Sequence, residues 1–226
     1  MAHEKQIIKT SDGSFTFRIE GLKETYHSRH GAMIESKFVY IDTGFHFWAE
    51  NNPNKACRIL ELGYGTGLVT YLSYLEAERF QKEIDYLSLE AFPLTIHELH
   101  SLNYDSFFEG SSASFSFRDF SIMDWQKRHF LSHYFKFIKS KIHFEKFQSS
   151  QLFDVIYYDA FGAHAQPELW EPRWMKKCYD LLSVGGVWVS YCAKGSVRRG
   201  LEEAGFQVSR LPGPPGKREI LRAVKP

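Results

Sequence analysis

Hydrophobic and polar positions divide the chain into short segments of strand and helix character. Two β-rich runs flank Asp12-Gly13, and an Asp-Gly pair in that setting is typical of a hairpin turn. The residues after the hairpin, up to about Glu50, are predicted to be mostly helical. From Cys57 onward, apolar runs of strand length alternate with segments whose apolar residues recur at helical spacing. The predicted strands are 57–62, 84–90, 114–120, 153–159, 185–192, 206–211 and 218–224, and the predicted helices are 68–80, 93–108, 167–182 and 196–205.

This alternation predicts an α/β fold with a seven-stranded, mostly parallel sheet that is covered on both faces. The last two strands are expected to form an antiparallel hairpin at one edge. Residues 1–50 are expected to form an N-terminal extension, a hairpin followed by a helical segment that lids a pocket, packed on a main domain of residues 51–226. Residues 126–150 depart from the alternation. Their aromatic and basic pattern predicts an amphipathic helical insert, which either packs on the domain or contacts RNA.

Composition narrows the classes of function. The net charge of +1 excludes a polycation, so any contact with nucleic acid has to come from a local basic patch. The three cysteines lack CxxC spacing, which argues against a zinc cluster and a disulfide framework. The sequence has no apolar signal segment and no run long enough to span a membrane, so a soluble cytoplasmic protein is expected. The histidines form no HxH pair; His164 is interpreted as a loop residue, and no metal is expected.

A glycine-rich turn follows the first strand of the alternating region, in the stretch LELGYGTG. Glycines at 63, 65 and 67 allow the backbone to approach a ligand closely and to begin a helix whose amides face it. The dinucleotide-binding fingerprint requires a glycine where this chain has Leu68, which disfavours an NAD-dependent dehydrogenase. Glycines that serve only the turn are the alternative interpretation.

Carboxylates stand at the ends of four successive predicted strands, at Glu61, Glu90, Asp119 and Asp159. In an open α/β sheet ligands bind outside the carboxyl ends of the strands, so Glu90 is placed to accept hydrogen bonds from ribose hydroxyls and Asp119 from an adenine amino group. The turn has no phosphate-binding lysine. A cationic nucleoside without phosphates therefore fits best, and S-adenosyl-L-methionine meets that description. Solvated acids at strand ends are the alternative.

Several motifs together resemble one family. The stretches YHSRHGAMIESKFVY, ELGYGTGL, EAFPLT, DAFGAHAQPELW and VRRGLEEAGF, followed by GPPGKREIL, are similar to the MnmC-like methyltransferases of the tRNA wobble-uridine pathway, from about Tyr26 to the C-terminus. The resemblance implies a class I, Rossmann-like methyltransferase domain that converts 5-aminomethyl-2-thiouridine to its methylaminomethyl form with S-adenosyl-L-methionine. Because the sequence ends at Pro226, the form without the FAD-dependent oxidase domain is expected, a monomer that uses no FAD and receives its substrate from a separate oxidase.

The resemblance also implies roles for individual residues. Asp159 would be the catalytic base at the amine, which has to lose its ammonium proton before it can attack a methyl group. The residues expected to contact the methyl donor are Glu61, Gly63, Tyr64, Gly65, Thr66, Gly67, Glu90, Ala91, Asp119 and Phe120. The residues expected to contact the tRNA substrate are Tyr26, Ser28, Glu35, Phe161, Arg198, Arg199, Lys217 and Arg218. The chain departs from the family pattern at Val69, often Asn, and at Ala163, often Pro.

The C-terminal part of the chain carries most of the excess positive charge. Residues 194–226 contain eight basic and three acidic residues in a chain whose total charge is +1. Such a patch favours the phosphates of a tRNA anticodon arm, although a solvated basic terminus has the same composition. Two other functions stay open: methylation of a small-molecule or protein amine, and a catalytically silent RNA-binding module.

Overall fold

Eight strands form the central sheet of the computed structural model, which describes residues 4–226. A smaller, three-stranded antiparallel sheet precedes it. The strands are β1 (Lys5–Lys9), β2 (Phe15–Ile19), β3 (Glu24–Thr25), β4 (Cys57–Leu62), β5 (Ile84–Glu90), β6 (His129–Phe130), β7 (Phe135–Lys141), β8 (Phe153–Tyr158), β9 (Leu182–Ser190), β10 (Gln207–Pro212) and β11 (Glu219–Val224). The helices are α1 (Ala32–Ser36), α2 (Phe47–Asn51), α3 (Leu68–Phe80), α4 (Ile96–Ser101), α5 (Phe117–Ile122), α6 (Pro172–Leu181) and α7 (Gly195–Ala204), with a π-helical segment, Lys37–His46, between α1 and α2.

The central sheet has the order β10-β11-β9-β8-β4-β5-β7-β6. Its five inner strands, β9, β8, β4, β5 and β7, run parallel, and β11 and β10 form the predicted antiparallel hairpin at one edge. The predicted α/β class with a mostly parallel sheet is confirmed, and the two-residue strand β6 adds an eighth member. Leu62 pairs with Leu89 on one side and with Tyr158 on the other. The segments after β4, β5 and β8 therefore leave the sheet at one edge.

Two predicted elements are wrong, and they are linked. Residues 114–120 do not form a strand, because Ser116 caps the helix α5 in a reciprocal hydrogen-bonded pair with Asp119. The strand beside β5 is instead β7, which lies in the 126–150 segment that was predicted to be a helical insert. In β7 the side chains alternate between buried and partly exposed positions, so the aromatic and basic pattern belongs to a strand with two faces.

The N-terminal part packs against the central sheet. The predicted hairpin around Asp12-Gly13 forms between β1 and β2, and the Asp12 carboxylate accepts hydrogen bonds from Thr10 and Ser14. The first three residues of the predicted extension lie outside the described residues. The run of helix from α1 through the π-helical segment to α2 contacts β8, β9 and α3. It therefore covers the sheet beside the end of β8.

Two clusters of buried side chains cover the two faces of the central sheet. One is rich in Phe and Tyr, including Tyr71, Tyr74 and Phe137, and the other contains Trp170 and Trp188. The high aromatic content of the sequence is thus used mainly in packing. None of the helices in residues 4–226 combines the length and the apolar character that crossing a lipid bilayer requires.

Candidate functional site

A cavity of about 370 Å³ opens at the carboxyl edge of the parallel strands. Its walls come from the turn after β4, the residues after β5, the segment 142–145 after β7 and the loop that begins at Asp159 after β8. Tyr26 and His27 of the N-terminal part complete it. Among the described residues that line this cavity are four carboxylates, at Glu90, Glu145, Asp159 and Glu168, but no lysine or arginine.

The glycine-rich turn forms the floor of the cavity, and two of its positions leave no room for a side chain. Gly63 has φ +94°, and a Cβ atom at this position would lie 2.5 Å from the carbonyl oxygen of Asp159. Gly67 has φ +80°, and its Cβ would lie 2.6 Å from the Tyr64 hydroxyl oxygen. Both positions require glycine, because their φ angles are positive and because a Cβ atom would clash with a neighbouring atom. The turn then leads directly into α3.

Glu90 fixes the shape of the turn. One of its carboxylate oxygens accepts a hydrogen bond from the Gly65 amide at 3.0 Å, and the other accepts one from the Phe92 amide at 2.8 Å. The phenyl ring of Phe92 is 69% exposed at the mouth of the cavity and makes an edge contact with the His143 ring, with centroids 5.3 Å apart. An exposed ring at the end of a ligand cavity is suited to stacking on a planar base.

Glu61 lies beneath the turn and not on the wall of the cavity. Its side chain is fully buried, and one oxygen accepts hydrogen bonds from Thr70 at 2.8 Å and Ser88 at 2.5 Å. The other oxygen has no hydrogen-bond partner among the described residues. Burial raises the pKa of this carboxyl to about 8, and the nearby Asp159 charge acts in the same direction, while the hydrogen bonds from Ser88 and Thr70 oppose it.

Asp159 is partly exposed in the cavity, immediately after β8. Its Oδ1 accepts a hydrogen bond of 2.5 Å from the hydroxyl of Tyr40, which the π-helical segment presents. Desolvation raises the pKa of Asp159 to about 7; the Tyr40 hydrogen bond opposes this shift and the Glu35 charge adds to it. A carboxyl with that pKa accepts and releases protons near neutral pH, as a general base requires.

An ion pair stands behind Asp159. Lys217 Nζ lies 3.2 Å from Glu35 Oε1, and Glu35 Oε2 accepts a hydrogen bond of 2.7 Å from the Ser28 amide. The ammonium of Lys217 lowers the pKa of Asp159, against the larger effect of burial. This pair joins the lid segment of the N-terminal part to the turn between β10 and β11.

The loop after Asp159 is held by Glu24 of the N-terminal part and by Trp170, which lies shortly after the loop in the sequence. Glu24 accepts a hydrogen bond of 3.0 Å from the Gly162 amide, and Trp170 Nε1 donates to the Phe161 carbonyl at 2.7 Å. The Phe161 ring contacts the Tyr26 ring edge to face, with centroids 5.0 Å apart. His164 Nε2 lies 3.5 Å from the Glu24 carboxylate. Residues 4–226 contain no group of three or more His, Cys, Asp or Glu side chains arranged to hold a metal ion.

The structure brings together part of the set of residues predicted from the sequence. Nine of them line the cavity: Tyr26, Gly63, Tyr64, Gly65, Thr66, Glu90, Ala91, Asp159 and Phe161. Asp119 and Phe120 do not, and the expectation that a strand ends at Asp119 is wrong, while their contact with the donor stays a prediction. The Asp119 carboxylate accepts hydrogen bonds from Ser116 at the start of α5, and the Phe120 side chain is fully buried in the aromatic cluster. Glu61 and Gly67 lie behind the cavity wall, as do Ser28 and Glu35.

The four residues that were predicted to contact phosphates lie in different surroundings. Arg198 forms an ion pair of 2.7 Å with Glu202 one turn along α7, whereas Arg199 is exposed. Lys217 and Arg218 line a second cavity beside the loop that follows Asp159. The predicted set is thus not one continuous patch.

Several residues that line the cavity or contact Asp159 escaped the sequence analysis. Tyr40 and His27 belong to the motif that carries the resemblance but have no charge or spacing that marks them as site residues. His27 Nε2 lies 2.8 Å from Thr66 Oγ1, and burial lowers the pKa of His27 to about 4, so the ring is neutral near pH 7. Ile142 and His143 were missed because the strand that ends before them was assigned to another segment. The available signal in Phe135–Lys141 was weak, because Ile138 and the buried Lys139 interrupt the alternation of apolar and polar residues.

The cavity suits a cationic nucleoside. Its lining carries carboxylates without lysine or arginine, its floor is a glycine cradle, and an unpartnered carboxylate oxygen of Glu61 lies below the turn. Glu90 stands where the second strand of the parallel sheet ends, the usual place for a carboxylate that binds ribose. The residues present therefore fit S-adenosyl-L-methionine.

Comparisons with known proteins agree with this fit. Residues 123–226 match a family model described as S-adenosyl-L-methionine-dependent methyltransferase. The crystal structure of MNMC2 from Aquifex aeolicus superimposes with a TM-score of 0.75 at 21% identity, covering 100% of this chain and 73% of that one. Spermidine synthase from Thermotoga maritima shares the fold with a TM-score of 0.53 at 11% identity, covering 99% of this chain and 80% of that one. The fold and the site are similar to those of S-adenosyl-L-methionine-dependent methyltransferases.

Within that class, the resemblance to the MnmC proteins is confirmed. One relative is the tRNA 5-methylaminomethyl-2-thiouridine biosynthesis bifunctional protein MnmC of Leptospira interrogans (serovar copenhageni, strain Fiocruz L1-130). It is 29% identical, and the match covers 89% of this chain and 32% of the relative. The protein of the same name from Hydrogenovibrio crunogenus is 31% identical over 207 residues, which cover 87% of this chain and 31% of the relative. The chain thus spans about a third of the length of these relatives.

Proposed function

We propose that this chain transfers a methyl group from S-adenosyl-L-methionine to the primary amine of 5-aminomethyl-2-thiouridine at the wobble position of tRNA. The names of the relatives support the substrate, since they are tRNA 5-methylaminomethyl-2-thiouridine biosynthesis proteins. The acidic cavity supports the donor. The proposal includes a cytoplasmic location, where tRNA is modified, and an aminomethyl substrate made by an oxidase activity.

The acceptor amine has to lose a proton before it reacts. At a lysine-like pKa of about 10.4, roughly one amine in a thousand or fewer is neutral at pH 7. In the proposed mechanism the Asp159 carboxylate takes the ammonium proton and leaves the nitrogen lone pair free. The sulfonium of the donor supplies an activated methyl group, whose bond to sulfur breaks as the bond to nitrogen forms. Holding the two reactants in line is expected to provide much of the remaining rate.

The single observation that carries the mechanism is the setting of Asp159. It lies on the wall of the cavity, directly after β8, with one oxygen bonded to Tyr40 and a pKa that burial raises to about 7. At that pKa a useful fraction is ionised at pH 7, and the ionised form is a stronger base than an ordinary carboxylate. Asp159 is therefore assigned the role of general base.

The substrate is tested on tRNA from cells that lack this protein. The purified protein is incubated with this tRNA and labelled S-adenosyl-L-methionine, and the nucleosides are then quantified by mass spectrometry. We expect methylaminomethyl-2-thiouridine to appear as its aminomethyl precursor disappears. A protein that binds the donor yet leaves the precursor unchanged would contradict the proposed substrate, and the search for an acceptor would move to amines outside RNA.

A further inference from the structure

A second cavity, of about 430 Å³, adjoins the first across the loop that follows Asp159. Residues 159–161 line the first cavity and residues 162–164 line the second, so the loop separates the two. The remaining walls come from the residues after β9, the turn between β10 and β11, and Glu24. This volume lies within the range of ligand pockets, roughly 300 to 1,000 Å³, and is too large for a small inorganic ion alone.

Side chains of the second cavity are in direct contact with the surroundings of Asp159. The Tyr191 hydroxyl donates a hydrogen bond of 2.9 Å to the carbonyl of Ala160, the residue after Asp159. Lys217 Nζ lies 4.3 Å from the centroid of the Tyr191 ring and 3.2 Å from the Glu35 carboxylate. A ligand in the second cavity is thus one layer of side chains away from the proposed base.

The charges of the two cavities differ in sign. Lys194, Lys217 and Arg218 line the second cavity, whereas no described lysine or arginine lines the first. Lys194 and Arg218 are exposed, and neither side chain has an ion-pair or hydrogen-bond partner within residues 4–226.

The acidic side chains of the second cavity are already engaged. Glu24 accepts hydrogen bonds from the amides of Thr25 and Gly162, and Glu219 lies 3.5 Å from the Arg210 guanidinium. The unpaired cations consequently favour an anionic group in the second cavity, while the first favours a cation.

We infer that the second cavity binds the ribose-phosphate of the RNA nucleotide whose base is methylated, with its phosphate at Lys194 and Arg218. This inference rests on the proposed function and adds the place where the acceptor enters. Lys194 takes the phosphate-binding role that the sequence predicted for Arg198, because Arg198 forms an ion pair with Glu202 and does not line the cavity. The base would reach Asp159 past the loop, opposite the donor.

The test is the binding of an anticodon stem-loop RNA with uridine at the wobble position, measured by fluorescence anisotropy over a series of salt concentrations. The double variant Lys194→Ala/Arg218→Ala is compared with the wild type. The matched control is Lys55→Ala/Arg58→Ala, which removes one exposed lysine and one exposed arginine at the start of β4, the opposite edge of the sheet. Calorimetric titration with S-adenosyl-L-methionine reports on the first cavity in every variant.

We expect the Lys194→Ala/Arg218→Ala variant to bind the stem-loop about tenfold more weakly. We also expect the slope of log affinity against log salt to shrink by about 0.7, because the variant loses its contact with one single-strand phosphate. The affinity for the donor should stay within about twofold of the wild type, and the control variant should bind RNA as the wild type does.

Two contrary outcomes are distinguishable. If the wild type binds and methylates RNA but the Lys194→Ala/Arg218→Ala variant matches the control in affinity and slope, the inference fails and the proposed function stands. If the wild type itself neither binds the stem-loop nor methylates the precursor tRNA, the proposed function fails and the inference fails with it.

Discussion

Asp159 owes its chemistry to burial at the end of a strand and to a contact with Tyr40, a residue far away in the sequence. The end of a buried strand desolvates the carboxyl and raises its pKa to about 7, and the hydrogen bond from the Tyr40 hydroxyl keeps the pKa from rising further. Burial of Tyr40 and the neighbouring Asp159 charge raise the pKa of the phenol well above its ordinary value, so the hydroxyl remains a donor. We expect Tyr40 to act as a positioning residue that keeps the base ionised.

Replacing Tyr40 by Phe is expected to shift the pH dependence of methyl transfer upward. Loss of the hydrogen bond raises the pKa of Asp159, so less of the base is ionised at pH 7 and the rate falls several-fold. Above pH 9 the rate is expected to recover most of the wild-type value. The measurement is single-turnover transfer to tRNA between pH 6 and 9.5, with Tyr179→Phe on α6 as the control. A Tyr40→Phe rate reduced equally at every pH would mean that Tyr40 has only a packing role.

At the level of elements, the third strand of the parallel sheet illustrates the limits of sequence patterns. The alternating residues 114–120 resemble a strand, but Ser116 and Asp119 form a capping box, and that local hydrogen bonding starts a helix. The true strand, β7, carries a buried lysine, Lys139, which makes its pattern look like that of an amphipathic helix. Lys139 Nζ donates to the carbonyls of Phe120 and Ser121 near the end of α5, a partner that only the folded chain supplies.

The contact between Lys139 and α5 is expected to be important for stability. Lys139→Met keeps the length of the side chain but removes the Lys139 hydrogen bonds to two carbonyls, of which only that of Phe120 keeps another, longer one, from the Tyr64 hydroxyl at 3.4 Å. The expected loss is about 2 kcal/mol in the free energy of unfolding, as is typical for hydrogen bonds that involve a charged group. Urea denaturation measures it, and Lys141→Met, an exposed position on the same strand, is the control with an expected change near zero. Equal stabilities for both variants would contradict this role of Lys139.

Other elements follow from the sequence because their signals are local. The Asp-Gly hairpin, the glycine turn after β4 and the parallel strands that end at Glu90 and beside Asp159 are where the pattern predicts them. The contacts of Tyr40, Glu24 and Lys217 were not predictable, because each joins segments that are distant along the chain. Sequence patterns report on the local backbone, whereas these contacts depend on the packing of the N-terminal part on the sheet.

On the scale of the whole molecule, two carboxyl groups of the site lower the free energy of unfolding as the pH rises. Burial raises the pKa of Glu61 to about 8 and that of Asp159 to about 7, with opposing hydrogen bonds in each case. In the unfolded chain both groups ionise near pH 4, so between that pH and 8 the unfolded state binds fewer protons. The free energy of unfolding contributed by these two groups therefore falls over this window. His27, whose pKa burial lowers to about 4, acts in the opposite direction between pH 4 and 6.5.

Replacing Glu61 by Gln isolates the contribution of Glu61 to the pH dependence of stability. The amide keeps an acceptor for Thr70 and Ser88 but cannot ionise, so the stability of Glu61→Gln relative to the wild type is expected to increase steadily from pH 5 to pH 8. The slope is at most about 1.4 kcal/mol per pH unit. Urea denaturation without ligand at several pH values measures it, with the exposed Glu203→Gln as the control. A relative stability that does not change with pH would contradict the assignment of a raised pKa to Glu61.

At the scale of the whole molecule, a cavity whose lining favours a cation and a cavity whose lining favours an anion lie on either side of the loop after Asp159. The loop is tied to Glu24 on one side and to Trp170 on the other, so the N-terminal part and the sheet together set its position. In the proposed mechanism, donor and acceptor approach Asp159 from different directions. The carboxylate is the point at which the two halves of the site meet.

The most direct test of this account is the effect of Asp159→Asn on turnover and on donor affinity, measured on the same protein. The amide cannot take a proton from the amine, so methyl transfer to precursor tRNA is expected to fall about 10²- to 10⁴-fold. The dissociation constant of S-adenosyl-L-methionine is expected to change by less than about threefold, because the cradle of the turn and Glu90 remain. Comparable losses in both quantities would make Asp159 a donor-binding residue and contradict its role as the base.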